Sequence, residues 1–131
     1  MSGYVLDASV AVTALTEPTS SAADLLTDTD AVFQVPSIFD IEVLSALRGL
    51  VRGGKYDRAA ASELVADLVV LPVERWHMPP LLPRVWELRE NLTPYDAAYV
   101  ALAELTGTVL LTGDERITAA PSVRCEIQIV K

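Results

Sequence analysis

Tyr4-Val5-Leu6-Asp7-Ala8-Ser9 is an apolar strand run that ends on a carboxylate and passes at once into a helical run from Ala8 to about Thr16. Outward from it, the same alternation repeats along the chain. Pro18 and Ser20-Ser21 punctuate it before a helix around Ala22–Leu26, and Val32–Val35 reads as a second strand. Pro36-Ser37 opens a long helix to about Arg52, with Ile38, Ile41, Leu44, Leu47 and Val51 at helical spacing, stopped by Gly53-Gly54. Asp57 opens another to about Val69, and Val70–Val73 reads as a strand despite Pro72. The run Met78-Pro79-Pro80-Leu81-Leu82-Pro83 is a loop or irregular helix start, with a helix following to Leu92. Thr93-Pro94 begins a helix that ends at Gly107. Val109–Thr112 is a strand, Glu115–Ala120 a short helix, and Val123–Val130 alternates like a last strand. Strands alternating with helices predict an α/β fold with a parallel sheet, whose ligands sit beyond the carboxyl ends of the strands.

Composition bounds the function classes. The chain has 131 residues, 51% hydrophobic and 21% charged, which fits a single domain, 1–131, with an ordinary core and excludes a disordered chain. Its longest apolar runs, such as Leu68–Leu71 and Ala97–Ala103, fall far short of the roughly 18 residues of a membrane span. With no basic leader ahead of the first strand, a cytoplasmic protein without signal peptide or membrane contact is expected. The one cysteine, Cys125, excludes an internal disulfide, and His77 alone cannot build a histidine metal site. Ten basic against 18 acidic residues give a net charge of −8, which disfavours a sequence-independent grip on nucleic acid and suits a cation or a basic protein partner.

The positions of the carboxylates carry more than their sum. Asp7 follows the first strand, and Asp114 follows the strand Val109–Thr112 with only Gly113 between. Asp96 lies in the first turn of the helix begun by Thr93-Pro94, and Glu42 in the long helix after the second strand. All four can converge at one edge of a parallel sheet. Each also has a plainer reading: Asp7 and Asp114 as helix N-caps, and Thr93-Pro94-Tyr95-Asp96 as a capping box. Glu42 resists that reading, since Ile38, Ser45 and Ala46 one turn away make a small, mostly apolar face with no Lys or Arg to pair it. Asp40 lies about 200° around the helix from Glu42 and reads as a first-turn charge. A converging acidic set persists only with protons or a bound cation, and a hard oxygen-seeking ion such as Mg²⁺ or Mn²⁺ suits it. In such sites metal ions drive in-line phosphoester displacement without histidine.

At these residues the sequence resembles the PIN-domain ribonucleases, and specifically the VapC-type toxins of bacterial toxin–antitoxin pairs. The matching segments run in order: Val5-Leu6-Asp7-Ala8-Ser9, Pro36 to Arg48, Leu92 to Glu104, and Leu110-Leu111-Thr112-Gly113-Asp114-Glu115-Arg116. The segment around Asp96 is the most specific, and together they span essentially the whole chain. The resemblance implies a three-layer α/β/α fold with a central, mainly parallel sheet. It implies Asp7, Glu42, Asp96 and Asp114 as the catalytic, Mg²⁺- or Mn²⁺-holding quartet, with Asp7 and Asp96 as direct ligands, Asp114 close behind, and Glu42 acting through water or positioning the attacking water. Ser9 and Thr112 resemble hydroxyls that orient these carboxylates. Relatives cleave RNA, often tRNA or ribosomal RNA, form homodimers, are inhibited by a VapB-type antitoxin, and meet DNA only through it. Where some PIN nucleases carry a further acid two positions past the last Asp, this chain has Arg116, which puts a fuller ligand set in doubt.

Several readings stay open beside this one. Arg48, Arg52, Lys55 and Arg58 surround the Gly53-Gly54 turn and are either phosphate contacts or a solvated helix end. Trp76, Trp86 and Tyr99 read as core or interface residues, His77 as a surface residue, and Cys125 as buried and inert. A phosphatase using Asp7 as nucleophile is a rival, weakened by Ser9 where related phosphatases have a second Asp. A catalytically silent PIN-like scaffold that dimerises and binds a protein is the other.

Overall fold

A computed structural model describes residues 2–131. Its centre is a five-stranded sheet in the order β3-β2-β1-β4-β5, with every pairing parallel. The strands are β1 (Ser2–Leu6), β2 (Ala31–Pro36), β3 (Val73–Trp76), β4 (Val109–Thr112) and β5 (Ile127–Ile129). Six α-helices flank it: α1 (Ala8–Thr16), α2 (Ser21–Leu26), α3 (Phe39–Arg52), α4 (Arg58–Val69), α5 (Leu82–Glu87) and α6 (Pro94–Thr106). Short 3₁₀ turns lie at Pro79–Leu81 and Glu115–Ala119.

The central strands are buried because they are apolar on both faces, as a covered parallel sheet requires. Val5 and Leu6 of β1, Val35 of β2, and Leu110 and Leu111 of β4 have no exposed surface. The chain steps outward from β1 to β2 to β3, then returns to the other side of β1 to lay down β4. The reversal makes the cleft between the carboxyl ends of β1 and β4 the topological switch point, where such sheets bind their ligands. The register pairs Leu6 with Leu111, so Asp7 and Thr112 leave the sheet side by side, tied by the Asp7 N–H donating to the Leu111 carbonyl at 3.0 Å.

Helix α6 forms the floor of this region. Thr93 caps it by accepting from the Asp96 N–H at 3.2 Å, Pro94 supplies its first turn, and Gly107 ends it in the left-handed conformation at φ 66°. Every residue from Ala97 to Ala103 is buried, with small alanines letting the helix approach the sheet closely.

Four boundaries differ from the sequence expectation. The third strand is Val73–Trp76 rather than Val70–Val73: Val70 is exposed after the end of α4, and pairing starts at Phe33 with Val73. Glu74 and Arg75 interrupt the apolar pattern that would have marked it. Pro36 ends β2 instead of opening the next helix, because a proline can close a strand without the N–H a central ladder needs. The helix after the proline-rich run stops at Glu87 and continues as turns to Leu92, and only Ile127–Ile129 of the last alternating run pairs as strand.

Candidate active site

Asp7 occupies the cap position of α1, yet its side chain accepts no backbone N–H there. Its Oδ2 is held instead by two hydroxyls, Thr112 Oγ1 at 2.6 Å and Ser9 Oγ at 3.0 Å. The same hydroxyls reach the next loop: Thr112 Oγ1 accepts from the Asp114 N–H at 3.1 Å, and Ser9 Oγ from the Gly113 N–H at 3.3 Å. Thr112 is fully buried. Its hydroxyl is spent on Asp7 and on the Asp114 backbone N–H, so it couples the ends of β1 and β4. Gly113 between them leaves little room for a side chain, since a Cβ there would sit 3.3 Å from the Val130 carbonyl.

Glu42 stands in the first turn of α3, half-buried, and accepts a 2.6 Å hydrogen bond on Oε1 from the hydroxyl of Tyr99. Burial raises the Glu42 pKa, opposed by the Tyr99 hydrogen bond and reinforced by the charges of Asp7 and Asp96. Tyr99 is 1% exposed, and burial together with Glu42 holds its phenol protonated far beyond the ordinary range. It is therefore a permanent donor to the carboxylate. The sequence reads Tyr99 as a core or interface residue; it lies in the core, and this bond was missed. The available signal was its spacing, since a tyrosine three residues after Asp96 lies on the same helix face.

Asp96 is also half-buried. Its pKa is raised by burial and by the charges of Asp7 and Asp114, against the opposing pull of Thr93 and Arg116. It shares a cavity of about 200 Å³ with Asp114, Arg116, Thr93 and Leu92. Asp114 differs from the other three. It caps the 3₁₀ turn through the Arg116 N–H, and the Arg116 guanidinium clasps both its oxygens at 3.0 and 2.8 Å. These bonds pull its pKa below the usual carboxylate value. Of the three plainer capping readings, the N-cap holds for Asp114, while Thr93 makes half of the capping box around Asp96.

The four carboxylates thus come from four separate elements and feel one another's charge, with no ion pair to Asp7, Glu42 or Asp96 among the described residues. Among those residues, no three acidic, histidine or cysteine side chains already form a ready-made metal cage. The donor set nevertheless fits a hard divalent cation: carboxylate oxygens, partly buried and mutually repelling, with Asp7 and Glu42 held by neutral hydroxyls and only Asp114 by a cation.

The remaining singled-out residues fall elsewhere. Asp40 forms a two-pronged ion pair with Arg75 at 2.8 and 3.0 Å, so it fastens α3 to β3 as well as charging the first turn. Arg48, Arg52 and Arg58 line a groove between α3 and α4, walled by Leu44, Leu47, Val51 and Val65, that none of the four carboxylates borders. Trp86 is 67% exposed, stacked under Arg89 at 4.5 Å, and Trp76 is half-buried. His77 is exposed; Cys125 is half-buried with its thiol pushed up to about 11 by burial.

Residues 4–122 match the PIN domain family. Across all of both chains, the sequence is 38% identical to Ribonuclease VapC1 of Mycobacterium tuberculosis. The fold is similar to PAE2754 from Pyrobaculum aerophilum, with TM-score 0.72 and 26% identity over 96% of this chain and 83% of that one. It is similar in fold alone to VapBC2 from Rickettsia felis, solved bound to a DNA fragment from the promoter, at TM-score 0.72 and 14% identity over 98% and 99% of the two chains. The chain belongs to the PIN-domain family, within its group of VapC ribonucleases. Among the described residues no helix is long and apolar enough to cross a membrane.

Proposed function

We propose that the chain is a Mg²⁺- or Mn²⁺-dependent endoribonuclease that hydrolyses RNA phosphodiester bonds, with Asp7, Glu42, Asp96 and Asp114 as its metal-holding and catalytic residues. The observation that carries this reading is Asp7: at the switch point of the sheet, its carboxylate is fixed by Ser9 and Thr112 and paired with no cation. A structural cap would have taken a backbone N–H. Bound among these carboxylates, the divalent ion would supply Lewis-acid activation of water and neutralise charge at the phosphate.

The protein's own part is positioning. Ser9 and Thr112 leave Asp7 a single orientation and prevent its recoil from Asp96. Tyr99 holds one oxygen of Glu42, while the other has no protein partner among the described residues and is available to orient a water. Half-burial of Glu42 and Asp96 keeps bulk water from screening the site, which strengthens every charge interaction in it.

This reading extends to the role of toxin in a type II pair inhibited by a VapB-type antitoxin. An acidic site on a protein of charge −8 attracts a basic segment, with an arginine set among the carboxylates as a pseudo-substrate. Contact with DNA would come only through that antitoxin. A homodimer is part of this reading, with the exposed Leu82 and Trp86 of α5 and Tyr95 and Leu105 of α6 as candidate contacts. The cytoplasm, where tRNA and ribosomal RNA are found, is the compartment this function requires.

The test is cleavage of total RNA by antitoxin-free protein with Mn²⁺ or with chelator. Wild type should cut only with the ion, and Asp96→Asn and Glu42→Gln should lose at least a hundredfold in rate. Equal cutting in chelator, or full activity of both variants, would contradict the proposal.

A further inference from the structure

The clasp on Asp114 is unusual for its surroundings. Asp7, Glu42 and Asp96 have no cationic partner among the described residues, while Asp114 gives both oxygens to Arg116, whose side chain is 88% exposed. The fork is local: the two residues are two apart, and the Arg116 N–H also binds Asp114 Oδ1 at 3.0 Å, so the turn itself aims the guanidinium. Arg116 also sends its charge toward Asp96, and Lys131 adds a weaker positive influence on Asp114. A carboxylate that grips a guanidinium with both oxygens already spends part of its charge and lone pairs, three donors from Arg116 in all, and is a weaker ligand for a metal ion.

We infer that Arg116 is a resident counter-cation of the site that competes with a divalent ion for Asp114, so that this residue tunes how tightly the metal is held. The inference rests on the quartet being the metal site. The guanidinium supplies one positive charge while the site is metal-free, and it limits the repulsion that Asp114 would otherwise add to Asp96. An ion held at Asp114 would draw on the same two oxygens and loosen the fork, and the exposed Arg116 side chain would turn toward solvent. Because the Arg116 end of the pair is exposed, loosening it is a modest cost and tunes affinity without blocking the site.

The test is calorimetric titration of antitoxin-free protein with Mn²⁺ at fixed ionic strength, comparing wild type with Arg116→Gln and Arg116→Lys. Arg116→Gln should bind at least fivefold tighter, equivalent to about 1 kcal/mol. Arg116→Lys keeps the charge but loses the fork, and should bind at least twofold tighter. Equal or weaker binding by Arg116→Gln would overturn the inference while leaving the metal site standing. Tighter binding by Arg116→Gln with Arg116→Lys unchanged would also overturn it, by reducing the effect to net charge. No Mn²⁺ binding by any of the three would remove the metal site itself and the inference with it. The exposed position of Arg116 means that all three proteins should melt within a few degrees of each other in chelator, which the same preparations check.

Discussion

The Thr112 hydroxyl donates to Asp7 Oδ2 at 2.6 Å from a fully buried position and, on its other side, accepts the Asp114 N–H at 3.1 Å. One small side chain therefore sets the carboxylates that follow two neighbouring strands. Thr112→Val keeps the shape and removes both bonds. Leaving buried polar groups unsatisfied costs about 1–3 kcal/mol, so denaturant unfolding should show a loss in that range. Thr112→Ser should restore most of it, together with the Mn²⁺ affinity that the valine variant loses.

Tyr99 and Glu42 should behave as a unit. Tyr99→Phe removes the donor from a half-buried carboxylate and should cost about 1–3 kcal/mol in urea unfolding. Combined with Glu42→Gln, the loss should be less than the sum of the singles, with a coupling energy of at least about 0.5 kcal/mol. Strict additivity would mean that the charge of Glu42 adds nothing to the hydrogen bond, since a glutamine oxygen can still accept from Tyr99.

The raised pKa values of Glu42 and Asp96 fix a sign for the pH dependence. Between the ordinary and the raised values the folded state holds more protons than the unfolded one. Stability from these two groups is thus full at pH below the ordinary values of 4.5 and 3.8, and falls as pH rises through the raised ones. Asp114 acts the other way: its bonding to Arg116 adds stability above 3.8 that is lost as pH falls through its lowered value. In chelator, the stability of Glu42→Gln relative to wild type should therefore improve as pH rises above about 4.5 and level off once Glu42 is ionised in the folded state. A flat or declining difference would contradict the burial argument for Glu42.

Arg84 provides a contrast away from the site. It ties α5 to α6 through Glu104, with contacts at 2.7 and 3.2 Å, and also reaches the Ser122 carbonyl. The pair is mostly buried, at 18% and 12% exposed. Arg84→Met leaves Glu104 charged without this partner and should cost about 3 kcal/mol in thermal or urea unfolding. The stabilisation that Mn²⁺ gives should be unchanged, because no group of the quartet touches this pair.

The elements that were legible in the sequence are those whose signals are local. Thr93-Pro94 and Gly107 mark both ends of α6, and the apolar runs Tyr4–Leu6 and Val109–Thr112 mark the two buried strands beside the switch point. The third strand was misplaced because its identity lies in pairing with β2, and its own residues Glu74 and Arg75 are exposed. Positions of the four acids followed from strand ends and helix starts. Their partners did not: the Tyr99–Glu42 bond joins residues 57 apart in sequence and the Thr112–Asp7 bond residues 105 apart, contacts that only packing of the sheet and helices creates.

The most direct test of the central claim is thermal unfolding of antitoxin-free protein, with and without Mn²⁺, for wild type and Asp96→Asn. An ion at ~100 times its dissociation constant adds about 2.7 kcal/mol to the stability of the protein that binds it. The account predicts a clear rise in melting temperature for wild type, little or none for Asp96→Asn, and a variant that melts no lower than wild type in chelator because one repelling charge is gone. A wild type indifferent to Mn²⁺, paired with an Asp96→Asn variant that is simply less stable, would contradict it and leave Asp96 as a structural residue of the first turn of α6.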